Sequence, residues 1–294
     1  MLDKLKIHTG SKPDDFDFSI IIPTWNNIDY LKLCIESIKT NSSTNLQIIV
    51  LINEGIDGTP DWLKKQGNID FIHSETNIGV CYGVNICRSL VKSDYIVYLN
   101  DDMYVLPDWD LQLRKEINAM DTKMFMLSST LIEPYDTGNS CVLVSNYGDS
   151  VNSFKKKDLL DNYQSLPKDD WSGSTWPPSV VHIELWDLVG GLSTEFSPGM
   201  YSDPDFSVKL YNAGVRIFKG LGSSLVYHFG SKTTGRIKKN KGRDQFLRKW
   251  GFSAKSFTSE VLKIGNEYIG PLKDTDLSNI SLLNKLKAVL AVLK

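Results

Sequence analysis

Apolar residues fall into short runs along the first 120 positions, and each run stops at a turn residue. Phe18-Ser19-Ile20-Ile21-Ile22, halted by Pro23, predicts a buried strand. Ile28, Leu31, Cys34, Ile35 and Ile38 then recur at three- and four-residue steps, the stripe of an amphipathic helix. Residues 46–52 (LQIIVLI) predict a second buried strand, followed by a turn punctuated by Gly55, Gly58 and Pro60. A short helix and a weak strand at 69–72 come next, then a helix from Gly79 to Val91 and a strand at 94–99. Strands that are apolar throughout and alternate with helices predict parallel pairing with both sheet faces covered.

The second half is less regular. Strand-like runs occur near 123–131, 141–147, 179–183, 215–218 and 225–229, with a helix over 202–212. Between them lies a loop rich in tryptophan and proline: Trp171, Trp176, Pro177 and Pro178. No internal repeat is visible. After His228 the character changes, with eight basic residues and one acid in 231–250 and an amphipathic helix, SLLNKLKAVLAVLK, at 281–294.

Composition narrows the classes. The chain has 294 residues, 41% hydrophobic and 23% charged, with a net charge of −2, which is ordinary globular usage and excludes a protein basic all over. No nucleic-acid partner is expected. That near-neutral total hides an acidic body joined to a basic arm, an arrangement suited to one small anion held near one end of the chain. No run approaches the ~20 apolar residues of a membrane helix, and the first residues lack a signal-peptide core. Cys34, Cys81, Cys87 and Cys141 have no CxxC spacing and sit among apolar neighbours, so buried reduced thiols and a cytoplasmic setting are expected. Gly220-Leu221-Gly222 begins like a dinucleotide fingerprint, but Leu225 takes the third glycine position, so a loop is expected there. No phosphate-loop motif is present.

In sheets of this kind, ligands gather at the carboxyl ends of the strands. Polar clusters fall at those ends: Thr24-Trp25-Asn26-Asn27, Asn53-Glu54 and Asn100-Asp101-Asp102. Adjacent carboxylates repel each other and are tolerated where a divalent cation or solvent neutralises them. A solvated turn is the alternative. Asp203 lies in Ser202-Asp203-Pro204, which also reads as a helix start with Ser as cap and Pro in the first turn.

The segments FSIIIPTWNN, IIVLINEGIDGT, ETNIGVCYGVN and YIVYLNDDMYVLPDW, in that order, are followed by VGGLSTEFSPGMYSDPDFSVKLYNAGVRI. Together they resemble an inverting family 2 nucleotide-sugar glycosyltransferase with the GT-A fold, over about residues 18–230. The resemblance implies an α/β protein: a Rossmann-like mixed sheet flanked by helices over 14–235, then a basic linker and helical C-terminal extension over 236–294. It places Thr24, Trp25 and Asn26 beside the nucleoside, Asn53 at the base, and Asn77 and Gly79 under the ribose and diphosphate. It puts Asp101 with the donor-holding residues, Asp102 and His228 on Mn2+ (or Mg2+), Asp203 as general base and Asp205 on the substrate side. The partners implied are a nucleotide-sugar donor, UDP first with dTDP or GDP behind, and a glycan or lipid-linked acceptor.

The chemistry agrees with that division of labour. A nucleoside diphosphate leaves readily only if its growing negative charge is neutralised, which a hard cation on carboxylates can do. The acceptor hydroxyl must lose a proton as it attacks, which needs a carboxylate on the opposite face. Trp171 and Trp176 are either sugar-stacking platforms or core residues. The sequence departs from the family at Asn53, Val84, Asn100 and Ser202, where relatives carry Asp, Arg, Asp and an acid. These departures leave open a catalytically silent nucleotide- or glycan-binding module. With no Arg at Val84, the expectation is that Lys232, Arg236 or Arg243 of the basic arm folds over the diphosphate. The helix over 280–294 has three readings: packing on its own domain, homodimer formation, or peripheral membrane contact.

Overall fold

Ile20, Ile21 and Ile22 are wholly buried, and so are Ile49 to Ile52 beside them. Burying each such side chain stabilises the fold by roughly 1.5–3 kcal/mol, which is why these runs sit at the centre of a sheet covered on both faces. The computed structural model describes residues 5–10, 15–166, 168–230 and 240–277. In chain order the elements of the first half are β1 (Leu5–His8), β2 (Phe18–Trp25), α1 (Ile28–Asn41), β3 (Leu46–Asn53), α2 (Thr59–Lys64) and β4 (Asp70–Ser74). Then come α3 (Val80–Cys87), β5 (Tyr95–Tyr98), β6 (Met103–Val105) and α4 (Trp109–Asn118). The second half holds β7 (Phe125–Glu133), β8 (Leu143–Val144), α5 (Lys156–Asn162), β9 (Trp171–Ser172), β10 (Ser179–His182) and α6 (Ile183–Val189). It continues with α7 (Ser202–Asn212), β11 (Ile217–His228), α8 (Gly242–Trp250) and α9 (Ala254–Ser256), which runs into a single π-helical turn, Phe257–Val261.

One mixed sheet runs β1-β4-β3-β2-β5-β10-β7-β11-β6, with β8 on β7 and β9 on β11. The strands read as apolar throughout pair as expected: β2 with β3, β3 with β4 and β2 with β5 are all parallel. β10 enters antiparallel between β5 and β7, and this joins the regular half to the irregular one.

Some local readings change. The runs at 215–218 and 225–229 belong to one strand, β11, whose pairing with β7 shifts register between Leu221 and Leu225. The Gly-Leu-Gly segment lies within it, and a side chain at Gly220 would stand 1.9 Å from the Trp171 ring. Close packing explains that glycine, and no nucleotide is needed. Helix α4 went unread because only Trp109, Leu113 and Ile117 mark its buried face, in an otherwise polar segment.

The division at residue 235/236 does not match a break in packing among the described residues. Phe246, Phe252, Phe257, Val261 and Leu262 enter the same core cluster as Ile21, Ile49, Trp186 and Phe206. Only 240–277 of the extension can be placed; the helix read over 280–294 lies outside the described residues. All four cysteines are free and buried, and burial pushes the Cys81 thiol up to about 12.

Candidate active site

A cavity of about 640 Å³ opens at the carboxyl ends of β2, β3 and β5. Thr24 and Trp25 reach it from the end of β2, Asn53 from the end of β3, and Asp101 and Asp102 from the turn between β5 and β6. The Thr24 hydroxyl donates to Asp101 Oδ2 at 2.6 Å, which fixes one carboxylate of the pair. Asn53 is 3% exposed, and its Oδ1 accepts the Ile78 N–H at 3.0 Å. Asn77 Oδ1 accepts the Gly79 N–H at 2.9 Å, and both residues line the cavity. Gly79 has φ +78°, and a Cβ there would lie 2.3 Å from Ser197 Oγ, so glycine is required for the chain to pass under the cavity.

Asn26 does not line the cavity. Its Oδ1 accepts the N–H groups of Gly55 and Ile56, and its Nδ2 donates to Glu54 Oε2. Glu54 Oε2 also accepts Trp25 Nε1–H at 2.8 Å. Asn26 therefore shapes the loop that holds Trp25, in place of the nucleoside contact expected of it.

Antiparallel pairing of β6 and β11 sets His228 opposite Met103, and so beside Asp102. His228 Nε2 lies 3.6 Å from Asp102 Oδ1. Parallel pairing of β7 and β11 sets Ile132 opposite Tyr227, which brings Glu133 to His228 Nδ1 at 2.8 Å. Burial alone would lower the imidazole pKa, but hydrogen bonds and charge from Asp102 and Glu133 outweigh it and raise it to about 9. Glu133 was not singled out from sequence. A strand-end glutamate carries no signal until the pairing of β7 with β11 is known.

Once His228 Nε2 gives up its proton, the donor set of Asp102 and His228 suits a divalent ion of the Mn2+ kind, with carboxylate oxygen and imidazole nitrogen side by side. Among the described residues no group of three or more His, Cys, Asp or Glu forms a ready-made cage. An ion held there would take its remaining ligands from water or phosphate oxygens, the usual situation for a phosphate-bound cation.

Asp203 also lines the cavity, from the first turn of α7. Burial pushes its carboxyl up to about 7. Two residues on, Asp205 is fully buried and accepts from Trp250 Nε1 at 2.8 Å and Ser193 Oγ at 2.5 Å, with Lys249 Nζ at 2.8 Å. Asp205 anchors α7 to α8, and the substrate role expected for it is corrected to a structural one.

The two tryptophans divide. Trp171 is 4% exposed, donates from Nε1 to Thr130 Oγ1 at 2.8 Å and packs against Gly220, so it is a core residue and no sugar platform. Trp176 is 37% exposed and lines the cavity. Arg243 is exposed on the first turn of α8 and does not line the cavity, contrary to the basic-arm expectation. Lys232 and Arg236 lie outside the described residues. The lysine that does line the cavity is Lys255 of α9, which no sequence pattern marked. Val84 is fully buried in the core, within the sheet's apolar cluster, and no cation comes from that position.

The family model for glycosyl transferase family 2 matches residues 19–167. An uncharacterised glycosyltransferase of Haemophilus influenzae is 29% identical over 147 residues, covering 48% of this chain and 55% of its own. EpsH of Bacillus subtilis (strain 168), which bears a provisional glycosyltransferase name, is 24% identical over 157 residues, 52% of this chain and 41% of its own. The chain thus spans about half the length of these relatives. Among solved structures, S. aureus TarS 1–349 in complex with UDP-GlcNAc aligns over 94% of this chain and 79% of its own, at TM-score 0.55 and 14% identity. GalNAc-T7 with UDP, GalNAc and Mn2+ aligns over 83% and 50%, at TM-score 0.57 and 13% identity. At these identities the likeness is one of fold, that of the GT-A glycosyltransferases.

Proposed function

The chain belongs to glycosyl transferase family 2, and from that premise we propose that it is a metal-dependent, inverting glycosyltransferase. It moves a sugar from a nucleoside-diphosphate donor to a hydroxyl of a glycan or lipid-linked acceptor in a single displacement. The observation that carries this reading is the placing of Asp203 and of the Asp102–His228 pair around one cavity. The GalNAc-T7 neighbour holds UDP and the TarS 1–349 neighbour holds UDP-GlcNAc.

Asp203 takes the proton of the acceptor hydroxyl as that oxygen attacks the anomeric carbon. The bond from that carbon to the diphosphate oxygen breaks, and its electron pair leaves with the diphosphate. A carboxylate with an ordinary pKa is a weak base at neutral pH; burial that raises it to about 7 improves the match. Asp102 and His228 would hold the divalent ion, whose charge would offset that of the leaving diphosphate. Glu133, bonded to His228 Nδ1, keeps Nε2 turned toward Asp102. Among the described residues no helix is long and apolar enough to cross a membrane.

The test is nucleotide release from a panel of nucleotide sugars with Mn2+, run on the native chain and on Asp203→Asn. Loss of transfer with unchanged donor affinity supports the assignment. Full transfer by Asp203→Asn refutes it.

A further inference from the structure

Tyr98 is the last residue of β5 and lines the cavity. It also borders a small void with Asp203 and Phe206, which brings its ring up to the first turn of α7. The Tyr98 hydroxyl has no hydrogen-bond partner among the described residues. It is not sealed off either, because Asn27 Nδ2 is the only fully enclosed side-chain nitrogen or oxygen among them that lacks a partner. The hydroxyl is therefore open to the cavity that Tyr98 lines. Other polar groups on that lining are spent inside the protein: Thr24 Oγ1 on Asp101, Ser202 Oγ on the Gly199 carbonyl, and Asn53 Oδ1 on the Ile78 N–H. Burial first, then the charge of Asp203, pushes the Tyr98 phenol well above its ordinary range, with Cys81, Asp101 and Asp102 adding to the effect. Tyr98 thus stands as a neutral O–H at neutral pH, within electrostatic reach of both Asp203 and the Asp101–Asp102 pair.

An unpaired phenol on a cavity wall both donates and accepts, and so does a sugar hydroxyl. We propose that the Tyr98 hydroxyl hydrogen-bonds a hydroxyl of the transferred sugar, so that Tyr98 positions the sugar of the donor and not its nucleotide. This rests on the reading of Asp203 as base and of Asp102 and His228 as holders of the ion. In a single displacement the attacking oxygen and the leaving oxygen stand on opposite faces of the anomeric carbon. The sugar then spans the gap between the ion and the base, and Tyr98 is the neutral polar side chain that feels the charge at both ends of that gap. A neutral hydrogen bond of this kind strengthens binding by about three- to tenfold.

The experiment is calorimetric titration of UDP-GlcNAc, UDP-glucose, UDP-galactose, dTDP-glucose and GDP-mannose, each beside its own nucleoside diphosphate, with MnCl2. It is run on the full chain and on Tyr98→Phe, which removes a hydroxyl that bonds to nothing in the described protein and so leaves the melting temperature unchanged. For the nucleotide sugar that the native chain holds most tightly, Tyr98→Phe is expected to weaken binding about three- to tenfold, while the parent diphosphate binds as before. Equal loss for both ligands, no loss for either, or binding of diphosphates alone would each overturn the sugar contact while leaving the nucleotide site standing. A lowered melting temperature would assign the hydroxyl to the fold and overturn it too. If no nucleotide sugar and no diphosphate binds the native chain, the sugar contact and the nucleotide-sugar reading fall together.

Discussion

The two walls of the cavity are held in different ways. On the wall proposed to hold the nucleotide, Thr24, Trp25, Asn53 and Asn77 are each fixed by a bond to a group within the first 101 residues. All of them lie inside the segment 19–167 that matches the family. The facing wall is built from Trp176, Tyr201, Asp203 and Lys255, all outside that segment. It is tied down by later chain: Asp205 by Lys249 and Trp250, and the Phe196 and Ser197 carbonyls by Asn240 Nδ2. The lesson is that the wall proposed to hold the donor is fixed within a short stretch of strand ends, while Asp203, the proposed base, is placed by contacts between distant parts of the chain.

Substitutions on each wall test that division, and the largest expected effect belongs to Asp203. Asp203→Asn is expected to lower the transfer rate by about 10²–10⁴-fold with donor affinity unchanged, read from initial rates and direct nucleotide titration. The pH profile carries the same assignment. Below about 7 the Asp203 carboxyl holds a proton and cannot take another, so transfer should rise as pH climbs through about 7. An acid limb persisting unaltered in residual Asp203→Asn activity would separate that titration from Asp203.

Trp171→Ala should destabilise the fold by ~3–5 kcal/mol in denaturant unfolding, because it empties a filled site between Gly220 and Thr130. Glu133→Gln is expected to weaken Mn2+ binding by about 10–100-fold, measured by the paramagnetic signal of free ion, with the melting temperature nearly unchanged. Unaltered Mn2+ affinity would leave Glu133 without a positioning role. Trp176→Ala should have the smallest effect: stability within about 0.5 kcal/mol, and a raised acceptor KM at constant donor KM. A stability loss rivalling that of Trp171→Ala would place Trp176 in the core as well.

Much of the strand-end wall of the cavity was legible in sequence. The runs FSIII and LQIIVLI give way at once to Pro23-Thr24 and to Asn53, so strand ends and polar residues coincide along the chain. The facing wall was not legible in the same way. Trp171 and Trp176 lie five residues apart in a segment of similar composition, and Trp171 is drawn into the core where Gly220 on β11 leaves room for its indole. Asp203 and Asp205 share a motif, but a helix turns them to different neighbours. Glu133 gains meaning only from the parallel pairing of β7 with β11, and Lys255 only from the packing of α9 over the cavity. The basic arm was visible as charge, yet charge alone does not say where a side chain points, and Arg243 points to solvent.

The tie between Asp205 and the pair Lys249–Trp250 also orders events during synthesis. A chain growing from its amino end has every residue of the nucleotide wall by position 102. The helix that carries Asp203 is complete at residue 212 and then waits roughly 40 residues, a few seconds at ribosomal speeds, for the partners of Asp205 to exist. During that interval the nascent chain has the residues of the proposed donor wall before Asp203 has its final support.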